Sequence, residues 1–168
     1  MTDLTSRFRR WFDYERDAHD KTLASLRTVP EERRGREPYE KAIDLLAHIA
    51  AARSLWLCRC GAAETGPDSA EELFPKELSV DEVSRRLHTV HGEWSEYLSS
   101  LDDEGVARSF EYVSHEGERF RNTIEDVLSQ LFTHSSYHRG QIASIVRSLG
   151  GEPAVTDFVF WSRSELSH

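Results

Sequence analysis

Apolar residues recur every three or four positions through the first sixty residues, and this spacing predicts two long helices. The first covers about residues 3–28 and stops before Pro30. The second starts at Pro38, which suits a first helical turn, and runs to about Cys60, where Gly61 ends it. Because its apolar residues occupy two faces, the second helix is expected to lie in the centre of the fold.

Residues 61–78 hold two glycines and two prolines, and this composition predicts a surface loop. The pattern of apolar residues then predicts two more long helices. The candidate capping pairs for these helices are Ser79 with Glu82, Asn122 with Glu125, and Thr123 with Asp126. Between the two helices, alternating residues around a His-Glu-Gly turn favour a short β-hairpin. The last helix runs to Leu149, where two glycines end it. Four long helices with one long connection indicate an all-α four-helix bundle.

Three histidines interrupt the apolar faces of the second and fourth helices. His134 and His138 lie four residues apart, within or beside the apolar stripe of the fourth helix, so both face the bundle interior. His48 breaks an apolar face of the second helix, and it joins them if these helices pack as neighbours. Three neutral imidazoles suit a divalent ion such as zinc or nickel and leave one coordination position open. An open position is typical of a catalytic metal site.

A histidine on an apolar stripe is also commonly a core residue with its ring hydrogen-bonded to a carbonyl group. The HxxxH pattern is weak by itself, and no HExxH is present to add a general base. Spacing alone therefore leaves both interpretations open. His19, at the edge of the first helix's stripe, could approach the open position or be a polar edge residue, whereas His88 and His91 are expected on a solvated face.

Charge and composition narrow the class of partners. Lys plus Arg number 21 and Asp plus Glu number 30, so the formal net charge is −9, which disfavours nucleic-acid binding. No apolar run reaches the ~20 residues that span a membrane, and the first residues show no signal peptide. Cys58 and Cys60 point in different directions on one helix, so no disulfide framework is expected and the cytoplasm is the default location.

The run HSSYHRGQIASIVRSLGGEPAVTDFVFWSR closely resembles the C-terminal signature of the DinB-like (DinB/YfiT) family, which combines HxxxHRGQI, LRxLGG and a P-x-x-TDF tail. The segment LLAHIAAARSLWL resembles the part of that family that supplies its first histidine, here His48. The resemblance is strong over residues 122–163 and fair over residues 40–60. Near the N-terminus, Glu15, Asp17 and His19 stand where the family usually has Asn, Trp and Asn.

The resemblance implies an up-up-down-down four-helix bundle that binds a divalent metal ion, zinc or nickel, through His48, His134 and His138. With 168 residues, the chain is expected to be a single DinB-like domain over residues 1–168. Relatives with this bundle include thiol-dependent isomerases and S-transferases. The resemblance thus also implies a small-molecule substrate and, in the thiol-dependent case, a low-molecular-weight thiol.

Three functions stay open on these grounds. The first is a cytoplasmic metal-dependent enzyme, a thiol-dependent S-transferase or related hydrolase that acts on a small electrophile. The second is a stress-associated metal-binding protein without turnover, and the third is an interaction scaffold with a vestigial site. No catalytic residue is assigned.

Several other side chains lead to predictions about the metal site and about dimer formation. The tail Phe158–Trp161 and the hairpin around Tyr112 are expected to line the mouth of the site. Gln141 shares a side of the helix with the paired histidines and is either a support for them or a surface residue, whereas Arg139 is expected to form a salt bridge or a subunit contact. A homodimer through helix faces is hypothesised from four large aromatic residues, Trp11, Phe12, Trp56 and Trp94.

Overall fold

The computed structural model describes residues 3–164, and its regular elements in that range are α-helices, a short 3-10 helix (Glu31–Arg33) and one β-hairpin, joined by loops. The elements are, in chain order, α1 (Leu4–Arg27), α2 (Glu37–Arg59), α3 (Ala70–Leu73), α4 (Val80–Ser100), α5 (Asp103–Ala107), β1 (Ser109–Val113), β2 (Arg119–Thr123), α6 (Ile124–Ser148) and α7 (Phe158–Ser162). The all-α class and the short hairpin before the last long helix are confirmed. No helix among these residues is long and apolar enough to cross a membrane.

Local sequence explains where the long helices begin and end. Capping boxes start α4 and α6, with Ser79 and Glu82 at the first and Thr123 and Asp126 at the second. Gly150 follows α6 with a φ of 78°, a left-handed conformation that glycine adopts without a Cβ clash. The predicted ends therefore hold to within one or two residues.

The four long helices pack as a bundle in which α2 contacts both α4 and α6, and α1 contacts the same two helices from the opposite side. Two apolar clusters fill the interior, one around Leu26, Ile43 and Val146 and the other around Phe12 and Trp94. Buried residues occupy most of the circumference of α2, as expected for a central helix. The central position of α2 places its polar residues among three neighbouring helices.

The order of helix directions is up-down-down-up, so the predicted up-up-down-down order is wrong. The contacts that fix it are Tyr39 Oη to Leu26 O (3.3 Å), Arg9 Nε to Leu98 O (3.1 Å), Arg27 to Asp81 (2.8 Å), and Glu152 N to Thr28 Oγ1 (2.7 Å). Residues 28–36 extend at most about 30 Å, less than the ~36 Å length of α1, so they cannot return to the start of α1. This connection therefore makes α2 run antiparallel to α1. Residues 60–79 are long enough to return along the bundle, which makes α2 and α4 parallel.

The hairpin and the C-terminal tail lie against the outside of the bundle. Tyr112 of β1 packs on Trp56 of α2, with 5.2 Å between ring centroids. Phe158 of α7 packs edge-on against Tyr14 of α1, and the Tyr14 hydroxyl donates to the carbonyl oxygen of Thr156 at 2.5 Å. The tail therefore covers α1 rather than projecting freely.

Candidate metal centre

Three histidines from α2 and α6 meet where these two helices pack. The Nε2 atom of His134 is 3.1 Å from Nε2 of His48 and 3.0 Å from Nε2 of His138. Within residues 3–164 these three form the one group of His, Cys, Asp or Glu side chains close enough to hold a metal ion. The structure thus brings together the three residues that the sequence predicts as ligands.

Hydrogen bonds on the far side of two rings fix which nitrogen carries the proton. Nδ1 of His48 is 2.7 Å from the carbonyl oxygen of Leu73, and a carbonyl only accepts, so this Nδ1 carries hydrogen. Nδ1 of His138 donates in the same way to Oε1 of Gln141, at 2.8 Å. Both Nε2 atoms therefore direct a lone pair toward His134. Gln141 orients a histidine of the cluster, a role that the sequence left open.

The lone pairs on Nε2 of His48 and of His138 both face Nε2 of His134, and there are too few protons for a hydrogen bond at each contact. Nε2 of His134 can carry one hydrogen, which can point at only one of its two neighbours. A cation at the meeting point satisfies all three lone pairs. Nitrogen atoms bound at ~2.0–2.1 Å to one zinc ion stand about 2.9–3.4 Å apart, and the observed separations of 3.0 and 3.1 Å fit that range. The three-His group could therefore hold a divalent metal ion.

Partial burial keeps the rings of His48 and His134 neutral near pH 7. Burial, together with the neighbouring His138, His48 and Arg53, lowers the pKa of His134 to about 4. Burial also lowers the pKa of His48, although its hydrogen bond to the Leu73 carbonyl acts in the opposite direction. Because only a neutral imidazole offers a lone pair, both rings are in the form that binds metal.

Comparison with known families agrees with this geometry. The family model of the DinB family matches residues 1–166 of the 168-residue chain. The chain belongs to the DinB family. No curated protein and no solved structure matches it significantly. Membership of the DinB family and the three-His cluster together fit a metal-binding protein.

In this DinB-family chain the loop before α4 covers the histidines. The Leu73 carbonyl anchors His48, and the ring of Phe74 stacks on His48 with 4.3 Å between centroids. Two small clefts lie beside the histidines, one on each side of this covering segment. The expectation that Phe158–Trp161 and Tyr112 line the mouth is wrong, because neither contributes to these clefts. The long loop reaches the site instead, while the tail is held against α1.

A buried ion-pair network joins the helices that carry the histidines. Glu15 of α1 has no exposed surface and accepts hydrogen bonds from Arg53 of α2 and from Arg139 of α6. Arg53 lies five residues after His48, and Arg139 directly follows His138. One carboxylate thus ties α2 to α6 close to the metal centre. The salt bridge expected at Arg139 is present.

His19 does not reach the three-His cluster. Its Nδ1 atom is 3.0 Å from Nε2 of His91, and the two rings stack between α1 and α4. His91 is buried, so its predicted solvated position is wrong, whereas His88 is exposed as expected. The reason is that α1 packs over this side of α4, with Phe12 edge-on to the His91 ring at 5.8 Å.

A large open cavity lies away from the histidines. It is an open groove of about 880 Å³ between the loop of residues 61–78 and α4, with Ala51, Arg86 and Glu93 in its walls. None of the three clustered histidines lines it. Chemistry, rather than cavity size, therefore identifies the candidate site.

Proposed function

We propose that this chain is a divalent-metal-dependent enzyme that uses His48, His134 and His138 as ligands. In this proposal it transfers a low-molecular-weight thiol to a small electrophile or catalyses a related hydrolysis. The observation that carries the proposal is the convergence of three Nε2 atoms, with no fourth His, Cys, Asp or Glu of residues 3–164 completing the group. Three protein ligands with one open position are typical of catalytic rather than structural zinc sites.

The chain's own residues would divide the work between holding the ion and excluding water. Leu73 and Gln141 hold two of the imidazoles in the orientation that binds metal. Phe74 covers one side of His48. A bound divalent ion such as zinc or nickel would supply a positive charge that favours thiolate over thiol.

The thiol in this mechanism comes from a co-substrate rather than from the protein. Burial raises the pKa of Cys60 to about 12, so its thiol stays protonated near neutral pH. Cys58 and Cys60 are both free, and neither belongs to the candidate metal group. An exogenous thiol is therefore the nucleophile that the proposal requires.

A cobalt-substituted form tests the proposal directly. Millimolar thiol is expected to change the d–d spectrum and to add a sulfur-to-metal charge-transfer band. Binding should weaken as the pH falls, because both thiolate and neutral imidazoles are needed. A spectrum indifferent to thiol, with no transfer to a panel of electrophiles, would contradict the enzyme assignment.

The alternative function is a stress-associated metal-binding protein without turnover. The observation that favours it is the tight cover over the site, since the two clefts beside the histidines hold only about 150 and 140 Å³. Stoichiometric metal binding without any thiol band or transfer would support this alternative.

We also propose that residues 1–168 act as one DinB-like domain in the cytoplasm and form a homodimer. Phe12 and Trp94 are buried in the core, so they cannot form the contact, but Trp11 is 42% exposed and Phe160 is 50% exposed. A contiguous exposed patch of such residues commonly marks a binding surface. A monomeric mass by light scattering at tens of micromolar would reject the homodimer.

A further inference from the structure

One of the two clefts beside the histidines is almost entirely apolar. It has a volume of about 150 Å³. Its walls are Ala52, Leu55, Trp56, Leu73, Gln130 and Leu131, together with His48 and His134 of the metal centre. Apart from the two histidines, the one polar side chain in this wall is Gln130, which is exposed. The cleft therefore offers an apolar surface directly beside the candidate ligands.

The opposite cleft has a different chemistry. It is lined by Lys41, Asp44, Leu45, Phe74, Pro75 and Lys76, together with His48 and His138. Lys76 is paired with Asp44 at 2.8 Å. The two sides of the centre therefore differ in their charged side chains, because a Lys76–Asp44 ion pair lines this cleft and no ion pair of residues 3–164 lines the cleft beside Trp56.

The apolar cleft is also held in shape by groups outside it. The indole of Trp56 packs against Tyr112 of the hairpin, and the guanidinium of Arg59 lies 5.0 Å from the centre of the indole ring. A wall fixed in this way does not have to be ordered when a ligand binds, which favours affinity. The hairpin thus supports the cleft without lining it.

We propose that this cleft binds the apolar group of the substrate or of the thiol. The ligand is then a small molecule whose metal-binding atom is attached to a group about the size of a benzyl ring. Apolar cavities of about 150 Å³ are large enough for benzene, and apolar pockets with a few polar groups at one end are typical of ligand sites. The inference rests on the proposed function, because the cleft positions a ligand for the three-His centre.

The test compares two thiols of similar acidity on the cobalt-loaded protein. Benzyl mercaptan is expected to bind at least about tenfold more tightly than 2-mercaptoethanol, since single methylene groups in apolar pockets change affinity by about that factor. Ala52→Leu, which fills the cleft, should lower the affinity for benzyl mercaptan to that for 2-mercaptoethanol, and the cobalt content of the variant checks that the three-His centre is retained. Ala51→Leu is the matched control, because Ala51 faces the large groove near α4.

Equal affinities for the two thiols in the wild-type protein would overturn the inference, as would a preference that survives in Ala52→Leu. A second measurement needs no metal, and it does not depend on whether a variant folds. Benzyl alcohol added to the metal-free wild-type protein should shift the methyl NMR signals of Leu55, Leu73 and Leu131. Methyl shifts without any cobalt–thiol band would support the cleft and reject the proposed function. A cobalt–thiol band without methyl shifts would do the reverse.

Discussion

Two histidine clusters lie in the same bundle, and the nitrogen atoms that face one another within them are arranged in opposite ways. In the pair between α1 and α4, Nδ1 of His19 and Nε2 of His91 face each other at 3.0 Å, and one proton between them completes a hydrogen bond. In the cluster between α2 and α6, the protons of His48 and His138 point outward and their lone pairs point inward. The direction of the free lone pairs, rather than the number of histidines, marks the metal centre.

The buried pair is part of a charged network that stabilises the bundle. His19 Nε2 lies 3.9 Å from the carboxylate of Glu15, which also pairs with Arg53 and Arg139. Burial, together with the positive charge of Arg53, lowers the pKa of His91 to about 3, and burial holds that of His19 well below its usual range. The His19–His91 pair is therefore a structural cluster, whereas the three-His cluster is a candidate metal centre.

The largest effect on the free energy of unfolding is expected when the network around the buried histidine pair loses the carboxylate of Glu15. Glu15→Ala leaves two buried guanidinium groups without their carboxylate, and breaking a buried ion pair in this way costs about 3–5 kcal/mol. Urea unfolding of the metal-free protein measures the loss. Asp13→Ala on the same helix removes an exposed carboxylate and should change the free energy of unfolding by less than about 0.5 kcal/mol. Equal effects of the two substitutions would contradict the role given to Glu15.

The difference between the clusters also explains how much the sequence could predict. Helical spacing and the HxxxH pattern were sufficient to find His134 and His138 on one face, and His48 followed because it breaks an apolar face. Glu15 and Arg53 gave a weaker signal, because a charged residue inside an apolar stripe is recognised as buried only when its partner on another helix is known. The partner of His91 on α1 was hidden for the same reason.

The covering segment could not be predicted because it depends on the path of a loop. Apolar residues do not recur at a regular spacing in residues 61–78, so the sequence does not show where this loop packs. The contact of Leu73 with His48 joins positions 25 residues apart, and local patterns do not predict contacts of that range. Helix directions likewise follow from the lengths of the connections, which the pattern of apolar residues does not report. Local signals thus predicted the elements and the candidate ligands, whereas the surroundings of these ligands depend on long-range contacts.

A smaller effect, on metal affinity, is expected from Gln141, which contacts the candidate metal-binding cluster. Gln141→Ala removes the acceptor for Nδ1 of His138, and losing such an outer partner lowers metal affinity by about 10–100-fold. Competition with a chelator of known affinity measures the change. Gln141→Glu keeps an oxygen acceptor and should restore most of the affinity. If both variants bind as the wild type does, Gln141 does not orient the ring.

The buried pair also makes stability depend on pH. The pKa of His91 is about 3 in the folded protein against 6.5 when unfolded, so the unfolded chain binds more protons between these values. The contribution of neutral His91 to the free energy of unfolding is therefore fully present above about pH 6.5. It is lost as the pH falls toward 3, by at most about 1.4 kcal/mol per pH unit for one histidine. His91→Gln cannot titrate and should show a shallower slope in unfolding experiments on metal-free protein. Identical slopes would be incompatible with a neutral His91.

Metal content tests the central claim most directly. Elemental analysis of the protein purified without a histidine tag should give about one divalent ion per chain. His134→Ala and His138→Ala should each lose this ion, whereas His88→Ala, which removes an exposed histidine, should keep it. Stoichiometric binding that survives in both His134→Ala and His138→Ala would contradict the assignment of the three-His cluster as the metal centre.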